Sequence, residues 1–167
     1  MFDIKKEVPS LELCKKLKEL GYPQEGGGWY WVKDFIPNEE WLLMYVEEYI
    51  PEKESGHWGY SVFEPSHNMI GFMENLDRIK APTNEELGKW LPERIETSDD
   101  TYSLVIEKYD DGWTVEYKSY NPYSIEPFDS LIIISADTLS YTMGLMLEWL
   151  VENGYVNFKK GGEDEQT

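Results

Sequence analysis

The segment 137–153 constrains the fold most, because it carries the longest run of helical periodicity in the 167-residue chain. Its apolar residues recur at the spacing of one helix face: Leu139, Met143, Met146, Leu147 and Leu150. Ser135 or Asp137 can cap its start, and Asn153-Gly154 ends it. We expect a central and mostly buried helix, against which the rest of the chain must pack.

Two shorter segments also have helix signals. Residues 10–20 carry an apolar stripe, and Gly21 stops the helix. Residues 83–91 begin with a capping box, in which Thr83 and Glu86 can each satisfy a free backbone N–H.

Between these helices the sequence has the period of β-strands. Residues 113–118 alternate apolar and polar side chains, and Asp110-Asp111-Gly112 predicts a hairpin turn after a strand at 102–109. Further strands are predicted at 29–33, 41–48 and 57–63, with a short buried strand at 131–134.

This order predicts an α+β fold, with an antiparallel sheet of about four to five strands and three helices packed mainly on one face. No linker divides the chain, so residues 1–158 are predicted to form a single domain. The polar residues 159–167 are predicted to be a flexible tail.

The net charge of the chain limits the kinds of partner that it can bind. Fifteen Lys and Arg against 33 Asp and Glu give a net charge of -18, which disfavours nucleic acid and anionic membranes and favours a basic protein partner. Solubility alone is the simpler reading of this acidity. A single cysteine, no signal-peptide pattern and no long apolar run predict a cytoplasmic protein without disulfides.

Catalytic patterns are weak. Cys14 lies on the apolar stripe of a helix, where a buried thiol is usually inert. The glycines at 26–28 lack the lysine of a phosphate-binding loop, and none of the many acidic pairs stands out. The only histidines give one weak metal candidate, formed by His57, Glu64 and His67. The sequence therefore favours a protein that is not an enzyme and needs no cofactor.

Clustered aromatic residues are the best candidates for a binding surface. Trp29, Trp31, Trp41 and Trp58 are predicted to contact a partner, with Glu47 and Glu48 as an acidic rim. The alternative is that these rings only cover the helices.

Three capped helical segments carry a resemblance to small uncharacterised proteins encoded in phage and prophage genomes of Firmicutes-type bacteria. They are SLELCKKLKELGY (10–22), APTNEELGKWLP (81–92) and the segment from Ala136 through Leu139 and Met146–Leu150 to Tyr155. The resemblance implies a phage or mobile-element context and brings no activity or catalytic residue with it.

Three functions follow as hypotheses. The first is a phage accessory protein that binds another protein, with a variant in which carboxylates mimic nucleic acid and inhibit a host protein. The second is a small structural, self-assembling protein. The third is a hydrolase or metal protein that uses His57, Glu64 and His67.

Overall fold

The computed structural model of the chain describes residues 4–33, 41–48, 60–63, 78–120 and 128–158, with the backbone alone at 46–48 and 60–63. The helices are a short 3-10 helix (Ile4–Lys6), α1 (Leu11–Glu19), α2 (Asn84–Gly88) and α3 (Leu139–Glu152). The strands are β1 (Gly28–Lys33), β2 (Trp41–Glu48), β3 (Tyr60–Phe63), β4 (Arg78–Lys80), β5 (Arg94–Glu96), β6 (Thr101–Tyr109), β7 (Gly112–Tyr120) and β8 (Phe128–Ala136). The predicted α+β class with three α-helices is confirmed.

The described strands form two antiparallel sheets of four strands each. The first has the order β3-β2-β1-β4 and the second the order β5-β6-β7-β8. Antiparallel pairing was predicted, but a single sheet of four to five strands was expected. The difference arises at helix α2, since β4 before it pairs back with β1, whereas β5 after it pairs forward with β6.

The helices connect the two sheets. Helix α1 contacts strand β4 of the first sheet and helix α3, while α3 contacts α2, β7 and β8. The close crossing of α1 and α3 depends on Gly144, because a Cβ added there would lie 2.8 Å from Leu13 Cδ2. Helix α3 is therefore central, as its periodicity predicts.

The main core lies between α3 and the inner face of the second sheet. Its fully buried members include Leu17, Leu87, Val115, Tyr117, Met146, Leu147 and Leu150. A smaller cluster beneath the first sheet contains Val8, Cys14, Ile79 and Ala81. The inner faces of helix and sheet thus follow the periods of 3.6 and 2 read from the sequence.

The observed helix caps confirm the prediction for α2 and correct the prediction for α3. The Ser10 side chain caps α1, and the capping box of Thr83 and Glu86 is complete at α2. Helix α3 is capped by Thr138, whose Oγ1 accepts a hydrogen bond from the backbone N of Tyr141, and not by Ser135 or Asp137. The reason is that β8 continues to Ala136, so Ser135 is part of a strand.

Strand β8 also differs from its prediction as a short buried strand at 131–134. It runs for nine residues at the edge of the second sheet, and Ile133 is 54% exposed. An edge strand has a neighbour on one side only, so its apolar residues are half-covered. The predicted hairpin at Asp110-Asp111-Gly112 is confirmed by the pairing of Tyr109 with Gly112.

Among the described helices, none combines the length and the hydropathy that a bilayer crossing requires.

Candidate functional site

The free edge of strand β8 is the most unusual surface of the described structure. Strand β7 pairs with one side of β8, and within the described ranges no strand pairs with the other. None of the backbone hydrogen bonds found outside the regular elements involves residues 128–136. As far as the described residues show, the outward N–H and C=O groups of this strand have no backbone partner, and such groups can pair with a further strand.

The outer face of the second sheet, which points away from α3, holds the most exposed large apolar side chains. On this face Tyr120 is 64% exposed, Phe128 55% and Tyr109 52%, beside Ile133 of β8. Tyr120 and Phe128 are cross-strand partners with ring centroids 5.2 Å apart. Such aromatic side chains contribute large contact areas in protein interfaces.

A buried carboxylate lies in the middle of the same outer face. Glu116 is only 7% exposed, and it accepts a hydrogen bond from the Ser130 hydroxyl. Lys118 Nζ lies 3.7 Å from its other oxygen, and 4.7 Å from the centroid of the Phe128 ring. The charge of Glu116 is thus compensated within the sheet.

An open groove of about 420 Å³ lies where β7 begins and β8 ends. Its lining includes Tyr109, Asp111, Trp113, Thr114, Ser135 and Asp137. The hydroxyls of Thr114 and Ser135 are 2.8 Å apart across the two strands. The two backbones can approach this closely because residue 112 is a glycine. A Cβ at Gly112 would lie only 2.5 Å from the carbonyl oxygen of Ala136. The groove offers two exposed carboxylates beside aromatic rings, a combination that suits a Lys or Arg side chain.

Three of the predicted tryptophans contact the chain itself. Trp29, Trp31 and Trp41 are half-buried and pack against the smaller core cluster. Trp31 Nε1 donates to the carbonyl oxygen of Pro9 at 3.4 Å, and Lys15 Nζ lies 5.3 Å from the Trp41 ring centroid. Part of each indole is therefore used in packing, and a role in binding a partner stays a prediction.

The remaining candidates lie outside the residues whose side chains are described. Trp58 and the metal candidates His57, Glu64 and His67 are in the ranges 49–59 and 64–77. Glu47 and Glu48 end strand β2, where the backbone alone is described. Their assigned roles stay predictions.

Two reactive side chains in the described ranges are buried in the core, and one of them is held in an ion pair. Cys14 is buried, its Sγ lies 3.6 Å from the carbonyl oxygen of Pro9, and burial raises the pKa of its thiol to about 12. Lys80 is buried as well and pairs with Glu86. No group of three His, Cys, Asp or Glu side chains within those ranges could hold a metal ion. These contacts make an inert thiol and a paired lysine, not a nucleophile with its base.

Sequence reasoning missed both the β8 edge and the groove. The sequence signal at this edge is the run Leu131–Ile134. An apolar run without alternation predicts a buried strand, so the run does not reveal that the strand lies at an edge. Burial depends on whether a second neighbour exists, and that is a property of the sheet order. Asp111 and Asp137 are far apart in the sequence and meet only through the pairing of Trp113 with Ala136.

No protein-family model, no curated protein and no solved structure matches this chain.

Proposed function

We propose that this chain is a phage or mobile-element accessory protein that acts in the cytoplasm by binding another protein. The observation that carries the proposal is the β8 edge, an apolar strand for which the described ranges supply no second partner strand, in a chain of net charge -18. Exposed apolar surface rimmed by polar residues is typical of interaction sites. The phage context comes from the resemblance of the three helical segments.

A nucleic-acid-mimicking inhibitor is a narrower variant of this proposal. It requires carboxylates on successive same-side positions of a strand, about 6–7 Å apart. On the outer face, Glu107 has Val105 and Tyr109 as its same-side neighbours, and Glu116 has Thr114 and Lys118. The described strands β6 and β7 thus give mimicry no support, and binding of a basic protein site is the better-supported form.

Self-assembly is the second candidate, because an open strand edge can also pair with another copy of the chain. A high net charge opposes it, since two copies of charge -18 repel each other. Sedimentation at increasing protein concentration tests it, and a monomer throughout would exclude it. A hydrolase or metal protein using His57, Glu64 and His67 remains a third hypothesis.

The main proposal is tested by affinity capture from bacterial lysate at low and high salt, followed by mass spectrometry. An unrelated acidic protein of similar net charge is the matched control bait. We expect one protein that this chain retains at low salt and releases at high salt, and that the control bait does not retain. If both baits retain the same proteins, or if none is retained, the proposal is wrong for that host.

A further inference from the structure

The two edges of the second sheet differ in a way that points to a function for one of them. Strand β5 has three residues and carries exposed charges at Arg94 and Glu96, which are features that prevent further strand pairing. Strand β8 has nine residues, no proline and no lysine or arginine, and its one charged residue is Asp129. Residues 132–136 of β8 carry neither a charge nor a proline, so this part of β8 is the less protected of the two edges.

The regular part of the β8 edge is short and uncharged. A register shift between Tyr117 and Lys118 of β7 places a bulge in β8 near Leu131. Beyond the bulge, residues 132–136 pair without interruption with Trp113–Tyr117, and they have the sequence Ile-Ile-Ile-Ser-Ala. This stretch can pair with an added strand of about five residues.

The surroundings of this stretch are strongly acidic. Residues 107–120 and 128–137 contain six carboxylates, Glu107, Asp110, Asp111, Glu116, Asp129 and Asp137, against two lysines, Lys108 and Lys118. Lys118 compensates Glu116, and Lys108 Nζ lies over the Trp113 ring at 5.6 Å from its centroid. Asp111 and Asp137 are left as exposed carboxylates in the groove at the end of β8.

Charge complementarity selects the occupant of this edge. A second copy of the chain would bring the same acidic groove and the same net charge, which opposes pairing. An extended segment with alternating basic residues would offer backbone groups to residues 132–136 and cations to Asp111 and Asp137.

We propose that the protein partner adds a basic, extended segment as a strand along residues 132–136 of β8, with a Lys or Arg side chain in the groove at Asp111 and Asp137. This inference rests on the proposed protein-binding function and specifies its partner chemistry. Main-chain hydrogen bonds supply the affinity, and the acidic groove selects the basic sequence.

The probe is a short peptide of alternating lysine and valine with blocked ends, titrated into the 15N-labelled full chain. Its control is the same peptide with every backbone N–H methylated, which keeps the charge and removes the strand-forming donors. We expect shifted amide signals and slowed amide exchange at 132–136, and an affinity that falls with salt. The methylated peptide should bind about tenfold more weakly or worse, because several backbone hydrogen bonds are lost.

A matched pair of protein variants separates the groove from general attraction. The double variant Asp111→Asn, Asp137→Asn removes two carboxylates from the groove, while Glu12→Gln, Glu19→Gln removes two exposed carboxylates from helix α1. We expect weaker peptide binding in the first variant and little change in the second. Circular dichroism checks that both variants fold.

Several results would overturn the inference. The two peptides could bind equally well, or the two double variants could lose the same peptide affinity. The shifted amide signals could map away from β8, or no binding could be seen at millimolar peptide. Slow exchange at 132–136 in a dimer without peptide would instead assign the edge to a second copy. If the Asp111→Asn, Asp137→Asn variant still captures the lysate partner, the inference fails while the proposed function stands. If the unchanged protein captures no partner from the lysate, the proposed function itself is contradicted.

Discussion

Lys80 Nζ lies 3.0 Å from Glu86 Oε1, and this ion pair ties the last strand of the first sheet to helix α2. Glu86 uses its other oxygen in the capping box, where it accepts from the backbone N and the hydroxyl of Thr83. Lys80 also donates to the carbonyl oxygen of Gly27 and lies 5.0 Å from the Tyr30 ring centroid. One buried cation thus fixes the glycine-rich connection between α1 and β1.

Replacing this lysine should destabilise the fold markedly. We expect Lys80→Met to lower the free energy of unfolding by about 2 kcal/mol, less than the roughly 3–5 kcal/mol of a fully buried pair, because Glu86 retains some exposure. Lys89→Met is the matched control, since its ion pair with Glu85 is exposed, and it should cost about 0.5 kcal/mol or less. Urea unfolding measures both, and equal losses would contradict the role given to Lys80.

The two glycines near that lysine should respond differently to substitution. Gly26 and Gly28 both have positive φ, but a Cβ at Gly28 would lie 2.8 Å from Lys80 Nζ, whereas nothing lies within 4 Å at Gly26. We expect Gly26→Ala to cost about 1 kcal/mol from backbone strain alone. Gly28→Ala should cost about 2 kcal/mol or more, because Lys80 must also move. Thermal or urea unfolding measures both losses. If Gly26→Ala costs more stability than Gly28→Ala, the Lys80 side chain can move away from the added Cβ without loss.

Two buried serines offer a test of hydrogen-bond satisfaction. The Ser119 hydroxyl has no hydrogen-bond partner among the residues that the structure describes, whereas the Ser140 hydroxyl donates to the carbonyl oxygen of Lys6 at 3.1 Å. We expect Ser119→Ala to raise the free energy of unfolding by up to about 1 kcal/mol, and Ser140→Ala to lower it by about 1 kcal/mol. A loss of stability in both variants would mean that Ser119 has a partner in solution.

Alkaline pH should destabilise the protein in part through Cys14. Burial raises the pKa of this thiol from 9.0 to about 12, and it also raises the pKa values of Tyr22 and Tyr117. The folded state therefore keeps protons that the unfolded state releases, so the stability present below pH 9 is lost as the pH rises toward 12. We expect Cys14→Ala to show a shallower decline in urea unfolding over this range.

Thiol labelling gives an independent check on the same residue. Iodoacetamide should modify Cys14 slowly in the native protein at pH 8 and quickly in urea, because only the thiolate reacts. Fast labelling of the native protein would contradict the burial of this thiol.

Local sequence signals predicted the helices and hairpins well, because their determinants are close in the chain. The capping box at Thr83, the stop at Gly21 and the turn at Asp110-Asp111 each act within a few residues. Strands β4 and β5 were missed, since three residues are too few to display a period.

The candidate site was less predictable, because it depends on which strand lies at an edge. The tryptophan-rich strand β1 is central in the first sheet, so its rings cover α1 and the 3-10 helix. The apolar strand β8 lies at an edge of the sheet formed by the described strands, and its Ile133 is exposed. The sequence predicts partner-binding rings in the first strand and burial of the second, and only the long-range pairing order shows which of the two lies at an edge.

The contact between Ser140 and Lys6 spans 134 positions of the chain. It has a consequence for the order of events on the ribosome, where synthesis proceeds from the N-terminus. Helix α1 is made before α3, and the α3 surface that covers Leu13 and Leu17 emerges only when translation of the described region is almost complete. Between the synthesis of α1 and that of α3, the nascent chain therefore carries a leucine stripe that its own later helix has not yet covered.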